Sequence, residues 1–562
     1  MRKNSKSAVK VFTFLLCLTL LTGCAESNSN KGNDGDTQVT ATAEPSKDGD
    51  KTNNTDDTNK GSESNSGTDE GNAGTNNTDN NTGDKNNTGN NTDDQAGNSG
   101  SVSDVKVPDS ATFKTISIDY KTKDLETSYV PGDCTSIVFS DNDIKVVGKE
   151  TEISSVDGKQ IVKIIKKGDY LISGSCSNGQ IIVEANKEKD VRLILNGLNL
   201  TCTDSAPIYE VQCDKMVITL ADGSENVLSD TSQYVYDNAE KKQPDAVIFA
   251  KDDLVINGSG SLKVDSAYME GIHSTDSVKL ISGNIAVRSA DTGIRGKEGV
   301  MIKDADIEVT SKGDGIKTTY ADNTSLGYII IEGGNVKLYT AKDAIQATGH
   351  IQITGGTIDI TTDNGVAHAG SDEESKSAKA LKTDNNIYIK GAEVKIDATE
   401  DAINANGNVI VDGGKLSIAT YNDAIQAEGA VVINDGSVDV NRSAKGIKGK
   451  SVSVNGGNVQ ITSDEDSIKA TSGKDEDEDS KVIFGDEDPF AVSEDVYVAV
   501  TGGTVNVTSG GESIDSDGNL YITGGSVTVT GAVDYKGSAY ITGGSISDKN
   551  TGDIKDQILN RE

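Results

Sequence analysis

The sequence predicts an all-β protein wound as a parallel β-helix, with about 21–22 residues and three short strands to each coil. Three observations carry this. One phrase is restated twelve times between Asp253 and Ser545, most legibly as Asn408-Val-Ile-Val-Asp-Gly-Gly-Lys-Leu-Ser-Ile-Ala-Thr-Tyr-Asn-Asp-Ala-Ile-Gln-Ala427. Within a copy, alternating apolar residues flank a glycine bend: Val409 and Val411 before Gly413-Gly414, Leu416 and Ile418 after it. Alternation with period two, β-branched residues and a glycine corner mean two short strands joined by a bend. A hydrophobic residue then closes each copy, read here as Ile272, Ile294, Ile316, Ile345, Val366, Ile403, Ile425, Ile447, Ile468 and Ile514. Where the step between these markers exceeds 22 residues, a surface insertion is expected. Leucine-rich repeats share the period but need a Leu-x-x-Leu-x-Leu signature, and a β-propeller needs about twice the period.

The regular coils occupy 251–547. Ahead of them, 106–250 reads as an irregular N-terminal β region and cap, with β-rich pieces such as Gln180-Ile-Ile-Val183 and Val191-Arg-Leu-Ile-Leu195; terminal repeats of an array are atypical because they cover an open sheet edge. Residues 548–562 form a C-terminal tail. The whole chain of 562 residues carries formal net charge −36 with only 34% hydrophobic residues. Its N-terminal part accounts for much of that. Residues 25–105 are Asn, Thr, Asp, Gly, Ser and Lys, cannot bury a core, and are expected to be a disordered tether. Before them, Arg2, Lys3, Lys6 and Lys10 precede the apolar run Val11 to Leu21, too short to span a bilayer, which ends in Leu21-Thr22-Gly23-Cys24. This resembles the lipobox of bacterial lipoproteins and implies a signal peptide over 1–24, lipidation at Cys24 and a place on the outer face of the cell membrane, reaching into the wall. Cys134, Cys176, Cys202 and Cys213 are either paired as disulfides or buried as small apolar thiols.

Stacking coils about 4.8 Å apart turns each repeat position into a row of side chains. Two places before the marker stand Glu270, Thr292, Asp314, Asp343, Asn364, Asp401, Asp423, Lys445, Asp466 and Glu512, with Asp291 and Asp363 one place earlier. Stacked carboxylates repel by about 1 kcal/mol per pair in water, so something must neutralise them. Ca²⁺ takes six to eight oxygens in tolerant geometry and suits the row, making Asp291, Asp314, Asp343, Asp363, Asp401, Asp423 and Asp466 the candidate ligands. Asp that simply bonds nearby backbone N–H groups at a turn explains the same pattern. One place after the marker, His273, Arg295, Lys317, Gln346, Asn404 and Gln426 form a polar row, with Tyr421 close by. Amides and cations at regular spacing suit sugar hydroxyls and carboxylates, and a solvated sheet face is the plain alternative. Insertions at 320–326, 367–383 and 472–494 project from the stack, the last with Asp475-Glu-Asp-Glu-Asp479.

Ala246-Val-Ile-Phe-Ala-Lys-Asp-Asp-Leu-Val-Ile-Asn-Gly258, then Gly271-Ile-His-Ser-Thr-Asp-Ser-Val278, Gly293-Ile-Arg-Gly296 and Gly313-Asp-Gly-Ile-Lys317 resemble a clostridial-type family of secreted carbohydrate-binding domains. That resemblance covers roughly Tyr170 to Ile546. It implies a right-handed parallel β-helix similar to polysaccharide lyases, with bound calcium, that binds cellulose and acidic polysaccharide such as polygalacturonate. The calcium repeat Gly-Gly-x-Gly-x-Asp is absent, so the chain is not a calcium solenoid of that kind.

The expected function is therefore a non-catalytic, lipid-anchored, monomeric polysaccharide binder that uses Ca²⁺. A Ca²⁺-dependent lyase is the alternative, with Arg295 and Lys317 beside Asp291 and Asp314 as its candidate machinery. A structural spacer or adhesin is a third. The negative charge disfavours nucleic acid as a partner.

Overall fold

A computed structural model describes residues 106–561, except 237, 239, 241, 323–324, 370–376 and 473–494. The expected signal peptide, Cys24, the 25–105 tether and nearly all of the third insertion lie outside the described residues. The described strands form two continuous sheets of 29 and 16 strands, parallel nearly throughout: a parallel β-helix.

One coil shows how the sequence builds it. Ser277–Leu280 makes the first strand, Ser282-Gly283 the bend, Asn284–Ser289 the second strand and Ile294–Gly296 the third. The next coil repeats this in register, pairing Val278 with Val300, Ile285 with Ile307 and Ile294 with Ile316. All six of these side chains are at most 2% exposed. Each contributes roughly 1.5–3 kcal/mol through burial. The bend requires glycine where the chain enters left-handed space. At Gly334 φ is 80°, and a Cβ would lie 2.2 Å from the Ala305 carbonyl oxygen.

The three strands of a coil define three faces that differ in what covers them. On the second face every other side chain is exposed, as along Asn284–Ser289, Asp306–Ser311 and Asn335–Thr340. The third face shows one half-buried side chain per short strand, as at Arg295, Lys317 and Gln346. The first face is covered by the protein's own chain.

That cover divides the stretch read from sequence as one irregular β region. Residues 106–130 form a strap that runs along the stack from late coils to early ones, against the order of the coils. Val107 packs on Tyr497, Ala499, Tyr521 and Tyr540. Phe113 stacks on Tyr388 at 5.0 Å beside Ile410 and Val432. The Ile116 backbone exchanges two hydrogen bonds with the Gln352 amide, at 2.7 and 2.9 Å. Tyr120 covers Val217, Val255 and Ile281 and donates to Glu332 at 2.8 Å. Asp124, in the short helix Thr122–Leu125, is wholly buried and receives Lys215 at 2.5 Å and Lys279 at 3.0 Å. The apolar stripe on the first face is thus a docking site already filled.

Both ends of the stack are closed by antiparallel pairs, which block further strand addition. Thr135–Phe139 pairs with Ile144–Val147 and Glu152–Val156 with Lys159–Ile164 at one end. At the other, Ser545–Asp548 pairs with Gly552–Asp553, and Ile558 of the last helix is buried. Of the two cysteine readings, the structure takes the second: Cys134, Cys176, Cys202 and Cys213 are buried free thiols.

Two predictions follow from the interior. Removing the Asp124 carboxylate leaves two lysines buried beneath the strap, so Asp124→Ala should cost about 3 kcal/mol in chemical denaturation and expose the strap to proteolysis. Glu210 is completely buried, and its Oε2 accepts the N–H groups of Lys251 and Asp252 at 2.6 and 3.0 Å while Oε1 has no partner. Burial pushes its carboxyl up to about 7. Because the folded value lies above the unfolded one, this group's contribution is complete in acid and is lost as pH rises through about 7. Glu210→Gln should raise the melting temperature relative to wild type at pH 8.5 but not at pH 4.

Candidate functional site

The third face carries both polar rows, and its strand pairing corrects one coil. Ile345 pairs with Leu381, and Leu381 with Ile403, so Leu381 and not Val366 is the marker there. Asp363, Asn364 and Gly365 all have positive φ, at 43°, 64° and 77°, and carry the chain off the strand path into the insertion. The Gly-Val pair at 365–366 imitates a coil closure in sequence but forms a turn whose Val366 N–H donates to Asp397. Asp363 is accordingly not in the acidic row. Lys379 takes the place assigned to Asn364, and Lys382 joins the polar row between Gln346 and Asn404.

The acidic row meets its charge problem from within. Several aspartates divide their two oxygens between two tasks. One oxygen accepts the backbone N–H at the same position of the next coil: Asp343 from Lys379 at 2.9 Å, Asp401 from Asp423 at 3.2 Å, Asp466 from Glu512 at 3.0 Å. The other faces an amine. Lys317 reaches Asp314 at 2.6 Å, Lys382 reaches Asp343 at 3.0 Å, and Lys379 reaches Asp401 at 2.5 Å. Turn capping and lysine pairing thus offset the carboxylate repulsion at these positions. Asp291 stands beside the row, where its charge helps raise the carboxyl of Glu270.

At the early end, four polar groups converge. His273 is 3% exposed and does not face solvent as alternation suggested. It contacts Asp245 at 2.6 Å and packs edge-on against Phe249 at 4.9 Å. Arg295 lies over it, reaching Glu270 at 2.6 Å, Asp245 at 3.2 Å and the His273 Nε2 at 3.1 Å. Burial raises the Glu270 carboxyl well above its ordinary range and lowers the His273 imidazole. The guanidinium already fills the space among these ligands, so the set does not fit a resident metal ion.

At the late end, Asp466, Glu512 and Asp515 bring one carboxylate oxygen each within 4.8 Å of one another. Lys469 offsets part of this charge, reaching Asp515 at 3.1 Å and Asp466 at 3.4 Å. The Glu512 carboxyl is raised by its hydrogen bond to Asp466 and by that neighbour's charge. An all-oxygen, half-buried set of this kind fits a hard divalent cation. Of the seven aspartates expected to bind calcium, only Asp466 belongs to it. Glu512 stands in the expected acidic row and Asp515 directly after the Ile514 marker, though neither is among the expected ligands, and Asp245, ahead of the first marker, lies outside both rows.

Between the ends the face is milder. Gln346, Asn404 and Gln426 are half-buried with their amides outward, and Asn404 donates to Asp401 at 2.9 Å and to Gln426 at 3.3 Å. Tyr421, 51% exposed, flanks them. Loss of the doubly used Asp401 carboxylate should be felt across three coils: Asp401→Ala should cost about 1–3 kcal/mol by denaturant titration, while Asp363→Asn, which tolerates the left-handed backbone there, should change stability by less than about 0.5 kcal/mol.

The chain is similar to known proteins. A protein of Acetivibrio thermocellus described as carbohydrate-binding domain-containing is 36% identical over 230 residues, which are 41% of this chain and 80% of that protein. A solved structure described as the polysaccharide lyase-like protein from C. thermocellum, gadolinium derivative, is 31% identical, with a TM-score of 0.41 over 46% of this chain and 96% of that one. The family model of carbohydrate-binding domain-containing proteins matches residues 157–424 and 418–553, which take in nearly the whole stack. The chain belongs to the family of carbohydrate-binding domain-containing proteins.

Proposed function

We propose that this protein is a non-catalytic polysaccharide binder, lipid-anchored through Cys24 on the outer face of a bacterial membrane and held off it by the 25–105 tether. The observation that carries the non-catalytic reading is the state of the two cations a lyase would need. A base must be neutral to accept a proton, yet Arg295 sits between Glu270 and Asp245, and Lys317 is paired with Asp314. Both cations are thus engaged by the protein's own carboxylates and not by a ligand. The amides of Gln346, Asn404 and Gln426, with Tyr421 at their edge, suit sugar hydroxyls and a pyranose face.

Cellulosic chains and polygalacturonate are the proposed ligands. A protein of formal charge −36 repels a polyuronate unless a cation intervenes. Asp466, Glu512 and Asp515 are the described residues that would hold Ca²⁺, which would supply positive charge at the late end of the face. Affinity electrophoresis of the 106–562 chain tests this. Migration should be retarded in gels containing hydroxyethyl cellulose or polygalacturonate, and chelation should abolish only the polygalacturonate retardation. Unsaturated, ultraviolet-absorbing ends released from polygalacturonate at alkaline pH would overturn the non-catalytic reading.

A further inference from the structure

The second face holds a cleft that neither polar row touches. It has a volume of 630 Å³ and crosses five successive strands, from Glu225–Asp230 to Asn335–Thr340. At parallel-strand spacing this is about 19 Å along the stack. Its floor dips at Ala286, whose outward neighbours in the adjoining coils are the long side chains Lys263 and Glu308. Of the three faces it is the most open, since the first lies under the strap and the third is closed by its own ion pairs.

Its polar groups are largely unspent. Of its lining residues, Asn284, Glu308 and Lys337 are exposed and make no side-chain hydrogen bond or ion pair among the described residues. Lys263 is paired with Asp265 on its own strand at 2.5 Å, and Asn335 with Asp306 at 2.5 Å. Two residues beyond Lys337, on the same side of the strand, stands Tyr339, 43% exposed. The cleft therefore offers free donors and free acceptors, with the Tyr339 ring just beyond its lining, and the carboxylates Glu225, Asp306 and Glu308 are nearly balanced by Lys263 and Lys337. That balance argues against a polyanion and for hydroxyl groups, which both donate and accept. A coil spacing close to the length of one pyranose lets a straight chain present successive sugars to successive coils.

We infer that this cleft is a second glycan site, one that takes an uncharged, unbranched chain of β-linked hexoses lying along the stack, with Tyr339 stacking on a pyranose ring. This rests on the polysaccharide-binding reading and adds to it a second place, on the second face, where uncharged chains bind without calcium.

Affinity electrophoresis with hydroxyethyl cellulose tests it on three proteins. Tyr339→Ala combined with Lys337→Ala should weaken retardation about tenfold, the loss of one stacking contact and one hydrogen bond. Ala286→Gln, which fills the floor, should act likewise, and Asn284→Ala with Glu308→Gln serves in its place if its melting temperature falls. Val147→Ala with Ile153→Ala, exposed at the capped early end and outside both sites, should leave this retardation unchanged. Unchanged retardation of the cleft variants, or equal loss in the Val147 and Ile153 variant, would overturn the cleft while leaving the binding reading intact. Absence of retardation of the unmutated chain in every glycan would sink the binding reading itself, and the cleft with it.

Discussion

Register is the constraint on which everything else depends. In a parallel stack each residue lies directly over its counterpart one coil away, so any choice made at one position is confronted with itself at about 4.8 Å. For Ile and Val this is favourable, because identical branched side chains pack into a continuous column. For carboxylates it is costly. The third face meets the cost at several positions by giving the two oxygens of one aspartate separate partners, as at Asp343, whose one oxygen caps the coil beyond and whose other receives Lys382. The same arrangement that removes the repulsion also pins adjacent coils together.

A β-helix of this kind has three faces, and each meets water differently. The strap closes the first with Phe113, Tyr120 and the buried Asp124, so the apolar stripe through Val255, Ile410 and Tyr497 is interior surface. The third is held half-closed by its ion pairs. The second keeps alternate side chains in solvent over many coils, and open polar groups there are free to exchange water for ligand. Function in such a scaffold follows from which face is left uncovered, because the coils themselves are nearly alike.

The acidic row shows why a pattern of residue types underdetermines chemistry. Aspartates recurring every coil are equally the signature of a metal row and of a capped turn, and what separates the two is whether an amine stands opposite. Lys379 and Lys382 do stand there, but they could be recognised only after pairing placed Leu381 between Ile345 and Ile403. Their distance from Ile345 in sequence is set by the insertion that follows Asp363, and insertions carry no period. The strap was hidden for the opposite reason. Residues 106–130 have neither repeat nor alternation, and their partners are hundreds of residues away, as Ile116 is from Gln352.

The sequence by itself determined the coil, the inward columns from Ile272 to Ile514, the glycine corners and the family, because these are local and repeat. Only the tertiary structure decided which charges are spent and which remain. Arg295 is committed to Glu270 and Asp245, His273 is buried beneath it, and Arg288, on the preceding strand of the same coil, stays open. A side chain's identity is written in the chain, but its partners are set by neighbours one coil above and below, and by a strap whose course no period announces.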